Sequence, residues 1–150
     1  AGAKYWQHPT GWQDIINDLN NKGYKVVQIS KEKHNDNFEN TKLPKGKPFK
    51  NIIDKTGNIP LEDIINLLHH SELYIGVSSG LAWLSWALKK PVVMISGFSA
   101  DLTEFTSNIK RIINKNVCNS CFNNFKLDAG DWDWCPVHKN TSRQFECTRE

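Results

Sequence analysis

Apolar side chains recur along this chain with helical spacing in some segments and in short unbroken runs in others. The segment Gly11–Leu19 places its apolar residues three or four positions apart, which predicts a helix with one buried face. Thr10 is the expected N-cap of this helix and Gly23 its expected C-terminal stop. Leu61–Leu68 repeats that spacing, so a second amphipathic helix is expected there. Leu81–Leu88 is apolar on nearly every side, which predicts a deeply buried helix.

Short apolar runs between these helices predict strands, because runs of this length that are rich in β-branched residues are typical of buried strands. The predicted strands are Lys25–Ser30, Asn51–Asp54, Leu73–Val77, Pro91–Ser96 and Arg111–Asn114. Strands and helices alternate, which indicates an α/β fold: a Rossmann-like parallel sheet with helices on both faces. The polar stretch Lys31–Lys50 is expected to be a surface loop. Since the first element is a helix, we expect the first strand of the sheet to be missing from this sequence; the alternative is that the first residues cap the sheet irregularly.

The composition bounds the classes of protein to which the chain can belong. Its 150 residues suit one domain with a small appendage, and a net charge of +3 gives no case for nucleic-acid binding. Lys89, Lys90 and Pro91 interrupt the most apolar stretch, so no membrane-spanning segment is predicted. We expect a cytoplasmic protein, because thiols stay reduced in that compartment, and the sequence leaves a homo-oligomer open.

Four cysteines, and no others, lie in the last third of the chain: Cys118, Cys121, Cys135 and Cys147. Thiolates are soft ligands, and four of them make a closed tetrahedral site for iron or zinc. Two disulfides in a secreted protein, or a redox pair at Cys118 and Cys121, are the alternatives. Metal is favoured, because no secretory leader is visible and the C-x2-C pair lies far downstream of its place in a thioredoxin-like unit. His138 could replace one ligand.

These two patterns divide the chain. We predict a Rossmann-like domain over residues 1–114 and a small metal-binding finger over residues 115–150.

An anion-binding site is predicted where the strand Leu73–Val77 meets the next helix. In an open parallel sheet, ligands bind at the carboxyl ends of the strands. Ser78, Ser79 and Gly80 lie there, and two hydroxyls, a glycine and the free N–H groups of a helix start suit a diphosphate. The alternative is that one serine only caps the helix, and spacing alone favours that alternative.

Two further segments could complete such a site. Gly97 and Phe98 follow the strand Pro91–Ser96, in the position where a base or ribose could lie. Lys4 could pair with a phosphate, although most single lysines are simply solvated. No serine-histidine-aspartate set, P-loop or catalytic carboxylate pair is recognisable, so no catalytic residue is assigned.

Several short motifs occur in the order seen in one enzyme family. They are Lys4-x-Trp6, Trp12, Asp54-x-Thr56-Gly57, Gly76–Leu81, Lys90–Val93 and Gly97. In this order the chain resembles the donor-binding C-terminal half of ADP-heptose heptosyltransferases, which have the two-domain GT-B fold. The tryptophan-rich segment Ser79–Ala87, the four cysteines and the DWDWCP stretch at Asp131–Pro136 resemble the bacterial autotransporter branch of that family more closely.

The resemblance implies roles for the candidate residues. The diphosphate of a nucleotide sugar, ADP-heptose, would lie at Ser78, Ser79, Gly80 and Leu81 and near Lys4, and Gly97 and Phe98 would help to hold the nucleotide. The four cysteines would bind one structural iron or zinc ion. The intact enzyme would transfer heptose to serine hydroxyls of an autotransporter-like acceptor protein.

This sequence departs from the general family at two positions. Ser78 and Trp83 stand where the family has an acidic residue and a histidine, so the role of that acid does not transfer. The catalytic base of the family belongs to an N-terminal domain, so this chain alone is expected to be inactive. A function of another class stays open: a non-catalytic metal-finger module that binds protein or nucleic acid.

Overall fold

The structure, a computed structural model, describes residues 2–33, 48–126, 128, 130–131 and 133–149. Most of the surface loop predicted at Lys31–Lys50 therefore lies outside the described residues. Within the described ranges, no helix is long and apolar enough to cross a membrane.

Helices and strands alternate along the described part of the chain, as the apolar pattern predicts. The helices are α1 Gly11–Asn21, α2 Leu61–His69, α3 Gly80–Ala87 and α4 Glu146–Arg149. The strands are β1 Val27–Ser30, β2 Ile53–Thr56, β3 Tyr74–Val77, β4 Val92–Ile95 and β5 Ile109–Ile112. Short 3-10 helices cover Gly2–Lys4 and Asp101–Thr103. No periodicity predicted α4, because a single helical turn is too short to show one.

Two compact units make up the chain, residues 8–64 and residues 1–7 with 65–150. The smaller unit contains α1 and the parallel pair β1-β2. The larger unit contains a three-stranded parallel sheet in the order β3-β4-β5, together with α3 and all four cysteines. Parallel pairing confirms the predicted fold class, although the described strands form two sheets rather than one. The predicted domain boundary between residues 114 and 115 stays a prediction.

A glycine ends α1 where the sequence suggests. Gly23 has φ of +87°, a conformation that costs a glycine little, and the N–H of Tyr24 donates to the Leu19 carbonyl at 3.0 Å. At the other end of α1, Thr10 is the N-cap residue but its side chain makes no capping hydrogen bond. The helix therefore ends at a predicted signal, whereas its predicted side-chain cap is not formed.

The strand β5 begins earlier than predicted. It pairs in parallel with β4, with Ile109 opposite Val92. Ile109 packs against the buried cluster of this sheet, whereas Lys110 is exposed. The predicted segment Arg111–Asn114 missed this start, because Lys110 and Arg111 follow Ile109 directly and leave no unbroken apolar run there.

Helix α3 packs on β3 and β4 over the core of the larger unit. Ala82 and Met94 are completely buried there, and Phe105 is 6% exposed. Trp86 stacks on Phe105 with ring centroids 5.3 Å apart, whereas Trp83 meets that ring edge-on and stays 42% exposed. Burial of this face fixes α3, and with it the loop that precedes the helix.

Candidate functional site

The loop between β3 and α3 carries the predicted anion site. Ser79 is the N-cap residue of α3, with extended backbone angles of −157° and 169°, and its hydroxyl makes no capping hydrogen bond. A Cβ built on Gly80 would meet no atom within 4 Å, so the backbone is open to a close approach there. Helix capping is the alternative to anion binding at this serine, and the Ser79 hydroxyl does not cap the helix in this structure. Ser78 and Leu81, on either side, are half-buried.

Tyr74 crosses the start of the same loop. A Cβ on Gly76 would collide with the end of the Tyr74 side chain, so the ring in this position lies directly over the glycine. Burial raises the pKa of Tyr74, and a hydrogen bond with the Ser79 side chain opposes that rise. The Ser79 hydroxyl is thus turned toward the phenol rather than toward the first amides of α3.

Gly97 and Phe98 lie at the carboxyl end of β4, where they are covered by the cysteine segment, defined here as residues 115–149. The Phe98 side chain is 6% exposed. It packs in a cluster that also contains Ala3, Cys121, Trp134, Cys135 and Phe145. The structure therefore gives the Phe98 ring a packing role. A contact between this residue and a nucleotide stays a prediction.

Lys4 ends the first 3-10 helix and is also in contact with the cysteine segment. Its Nζ lies 5.1 Å from the centroid of the Phe122 ring, the range of a cation–π interaction. Nearby, the N–H of Gln7 donates to the Thr148 carbonyl at 2.7 Å. The predicted phosphate-binding lysine is therefore held on the aromatic face of a residue that follows the C-x2-C pair.

Arg111, in the edge strand β5, ties down the loop after β4. Its guanidinium donates to the Ser96 hydroxyl and to the Ser99 carbonyl, both at 2.8 Å, and pairs with Asp101. Its side chain is only 12% exposed, and burial lowers its pKa. In the described part of the chain, Arg111 Nε and Glu104 Oε2 are buried without a hydrogen-bond partner. The loop that begins with Gly97 is thus anchored by a cation from the neighbouring strand.

All four cysteines are free thiols, so neither disulfide alternative is formed in this structure. Cys121 and Cys135 are each 8% exposed. Burial, with a contribution from the other three cysteines, raises the pKa of Cys147 to about 12. Burial likewise raises the pKa of Cys118 to about 11. Because each neighbouring thiolate makes the next one costlier, the four sulfurs share one electrostatic environment.

Three possible metal ligands of this segment lie close together. Among the described residues, one ligand atom each from Cys118, His138 and Glu146 lie within 4.8 Å of one another. Glu146 accepts from the Cys118 N–H at 3.3 Å and from the Arg143 guanidinium at 2.7 and 2.8 Å. Arg143 is the main cause that lowers the pKa of Glu146 to about 2. Glu146 is therefore an anion that stabilises the C-x2-C turn by accepting the hydrogen bond from Cys118.

The residues present fit a bound iron or zinc ion. Soft sulfur donors surrounded by apolar side chains suit both metals, and these thiols repel one another as thiolates. A cation between them would remove that repulsion and lower the pKa values that burial raises. The 4.8 Å limit holds for ligand atoms of Cys118, Glu146 and His138, the residue that the sequence offers as a substitute ligand. This group does not itself define a four-sulfur site.

Three charged residues that stabilise these loops by hydrogen bonds are not predicted from the sequence: Arg111, Arg143 and Glu146. Arg143 and Glu146 stand three residues apart just before Cys147, and that helical spacing was the available signal. Nothing in the sequence marks Arg111 as such a residue, because its side chain reaches Ser96 and Asp101 only when β5 pairs with β4.

Comparisons of the sequence with known proteins relate this chain to one family of enzymes. The model of the family described as glycosyltransferase family 9 (heptosyltransferase) matches residues 2–127. The chain is 45% identical over 150 residues to the autotransporter heptosyltransferase BAHTCr of Citrobacter rodentium, covering 98% of this chain and 35% of that protein. It is 44% identical to the autotransporter heptosyltransferase TibC of Escherichia coli O78:H11, covering 98% of this chain and 36% of that protein.

A solved structure extends the comparison to three dimensions. It is the crystal structure of the dodecameric iron-containing heptosyltransferase TibC in complex with ADP-D-β-D-heptose. The match has a TM-score of 0.80 at 41% identity and covers 98% of this chain and 38% of that one. The chain thus spans about a third of the length of the curated relatives it matches.

Proposed function

Because the chain belongs to glycosyltransferase family 9, the heptosyltransferases, we propose that its larger unit binds the donor, a nucleoside-diphosphate heptose such as ADP-heptose. The diphosphate would lie at Ser78–Leu81. One observation carries the proposal: the backbone at Gly80 is open, and the Ser79 hydroxyl does not cap the helix behind it. An uncapped helix start with an approachable backbone stabilises a phosphate anion.

The same chemistry explains how such a site could assist transfer. As the glycosidic bond to the nucleotide breaks, negative charge grows on the departing diphosphate. Preorganised N–H groups at the start of α3 and the ammonium of Lys4 would stabilise that charge. This loop would thus favour bond breaking by electrostatics.

We also propose that Cys118, Cys121, Cys135 and Cys147 hold one structural iron or zinc ion. The match to the iron-containing TibC supports iron. A closed set of four sulfurs leaves no open coordination position, so the ion would serve the fold of the cysteine segment rather than the reaction.

Transfer to an acceptor belongs to the intact enzyme. We propose transfer of heptose to serine hydroxyls of an autotransporter-like protein in the cytoplasm, with a base from an N-terminal domain. We further propose that like chains associate, since TibC is described as dodecameric. Mass spectrometry of an acceptor incubated with ADP-heptose would measure transfer with and without that N-terminal domain, and heptose should be added only when the domain is present.

Calorimetric titration with ADP and ADP-heptose tests the donor site. Gly80→Val should abolish binding, because its Cβ and methyl groups would fill the space that the phosphate needs. Ala87→Val is the matched control, since it places the same residue at the other, exposed end of α3. No binding by the native protein at millimolar nucleotide, or equal binding by Gly80→Val, would contradict the assignment.

A further inference from the structure

The turn of the C-x2-C pair is hydrogen-bonded to the loop after β4. The N–H of Ser120 donates to the Gly97 carbonyl at 2.7 Å, and the N–H of Phe122 donates to the Phe98 carbonyl at 3.0 Å. The two donors flank Cys121, which is buried. The turn that presents this cysteine therefore also fixes the backbone at the carboxyl end of β4.

The Phe122 side chain lies between two of the predicted donor-binding segments. Its ring centroid is 5.4 Å from that of Phe98, in a tilted arrangement. It is also 5.1 Å from the Lys4 Nζ. One aromatic ring thus touches both the loop after β4 and the predicted phosphate-binding lysine.

Preorganisation gives these contacts a functional meaning. A free lysine side chain samples many rotamers, and binding a phosphate would have to restrict it. Contact with an aromatic face restricts the Lys4 ammonium before any ligand arrives, while packing against Phe98 holds the neighbouring loop. The gain in donor affinity would come from order already present in the free protein.

We propose that Phe122 is a positioning residue of the donor site, acting through Lys4 and Phe98 without touching the nucleotide sugar itself. The inference rests on the proposed function, because it assumes that Lys4 meets the diphosphate. It goes further by making part of the cysteine segment a determinant of donor affinity.

Variants at Phe122 separate this role from a purely structural one. Phe122→Leu keeps an apolar side chain and removes the aromatic face, whereas Phe122→Tyr keeps the ring. We expect ADP to bind about threefold to tenfold more weakly to Phe122→Leu, which is the range for loss of a cation–π contact together with some packing. We expect Phe122→Tyr to bind ADP as the native protein does. Phe125→Leu is the matched control, because Phe125 is 49% exposed on the same segment. It should leave ADP affinity unchanged.

A double-mutant cycle tests the route through Lys4. If Phe122 positions Lys4, the losses of ADP affinity in Lys4→Met and Phe122→Leu will not add, since either change removes the same contribution. Additive losses would overturn the proposal, as would native ADP affinity in Phe122→Leu.

Hydrogen exchange without nucleotide keeps the inference distinct from the proposed function. The amides of residues 97–100 should exchange faster in Phe122→Leu than in Phe125→Leu. Unchanged exchange would overturn the positioning role even where ADP binds. Faster exchange in a protein that binds no ADP would instead overturn the donor-site assignment, and with it the role of Phe122 in that site.

Discussion

Gly97 is pressed against the backbone of Cys147: a Cβ built on Gly97 would lie 2.1 Å from the Cys147 carbonyl oxygen and 2.8 Å from its carbonyl carbon. Neither atom belongs to a flexible side chain, so neither can move aside cheaply. The glycine is therefore needed for close packing of the loop after β4 against the last cysteine, and for no unusual backbone angle of its own.

Gly97→Ala should accordingly destabilise the protein. We expect the free energy of unfolding to fall by about 1–3 kcal/mol, the usual cost of overpacking. Gly80→Ala is the matched control, because its Cβ would meet no atom within 4 Å, and it should stay within about 0.5 kcal/mol of the native protein. Urea unfolding measures both, and equal stability of the two variants would contradict the packing described for Gly97.

Arg111→Met should release the loop that Arg111 anchors. The guanidinium makes hydrogen bonds to Ser96 and Ser99 that the methionine cannot replace. Hydrogen bonds to charged groups contribute about 1.5–3 kcal/mol, and a loss of that size is expected. Lys110→Met, at the exposed neighbouring position, should change stability by less than about 0.5 kcal/mol. Thermal unfolding of the two variants makes the comparison, and equal loss in both would argue against the anchor.

One iron or zinc ion per chain is expected in purified protein, about the stoichiometry of a closed four-ligand site. Cys121→Ser should lose it, whereas Val137→Ala, at a position 52% exposed in the same segment, should keep it. Because the amides beside Cys121 donate to Gly97 and Phe98, hydrogen exchange should quicken at residues 97–100 as well as in the cysteine segment. Metal-free protein with two disulfides would refute the site.

His138→Gln distinguishes a four-sulfur site from one that recruits the group of Cys118, His138 and Glu146. With four thiolate ligands the variant should retain its metal, and the sulfur-to-iron absorption bands should persist. Elemental analysis and visible absorption supply the two readings. Loss of the ion together with a change in those bands would show that the imidazole is a ligand.

The elements that could be predicted from sequence are those whose signal is local. The periodicity of α1 and the glycine after it predicted both the helix and its end, and the unbroken apolar run predicted β4. The start of β5 could not be predicted, because Lys110 and Arg111 interrupt its apolar pattern. The reason for the arginine appears only when β5 lies beside β4 and the guanidinium reaches Ser96.

The candidate site divides in the same way. The cysteine spacing and the Ser79-Gly80 pair mark their positions without any knowledge of the fold. Gly97 and Phe98 are predicted to help hold a nucleotide, and that contact stays a prediction. What the sequence does not show is that the Phe98 ring packs among residues distant in sequence, such as Ala3 and Phe145. A strand-end aromatic looks the same in sequence whether it faces a ligand or a neighbouring segment, so this distinction requires the tertiary structure.

The hydrogen bond from Gln7 to Thr148 has a consequence for biosynthesis. These residues belong to one compact unit, whose two pieces are separated along the chain by residues 8–64. A ribosome releases the first piece long before the residues that bind it, at about 5–20 residues per second. The smaller unit lies wholly between these two pieces, so all of it is synthesised while Lys4 and its neighbours still wait for the cysteine segment. Until the cysteine segment emerges, a nascent chain therefore carries the larger unit incomplete, and this is the interval in which a chaperone would engage it.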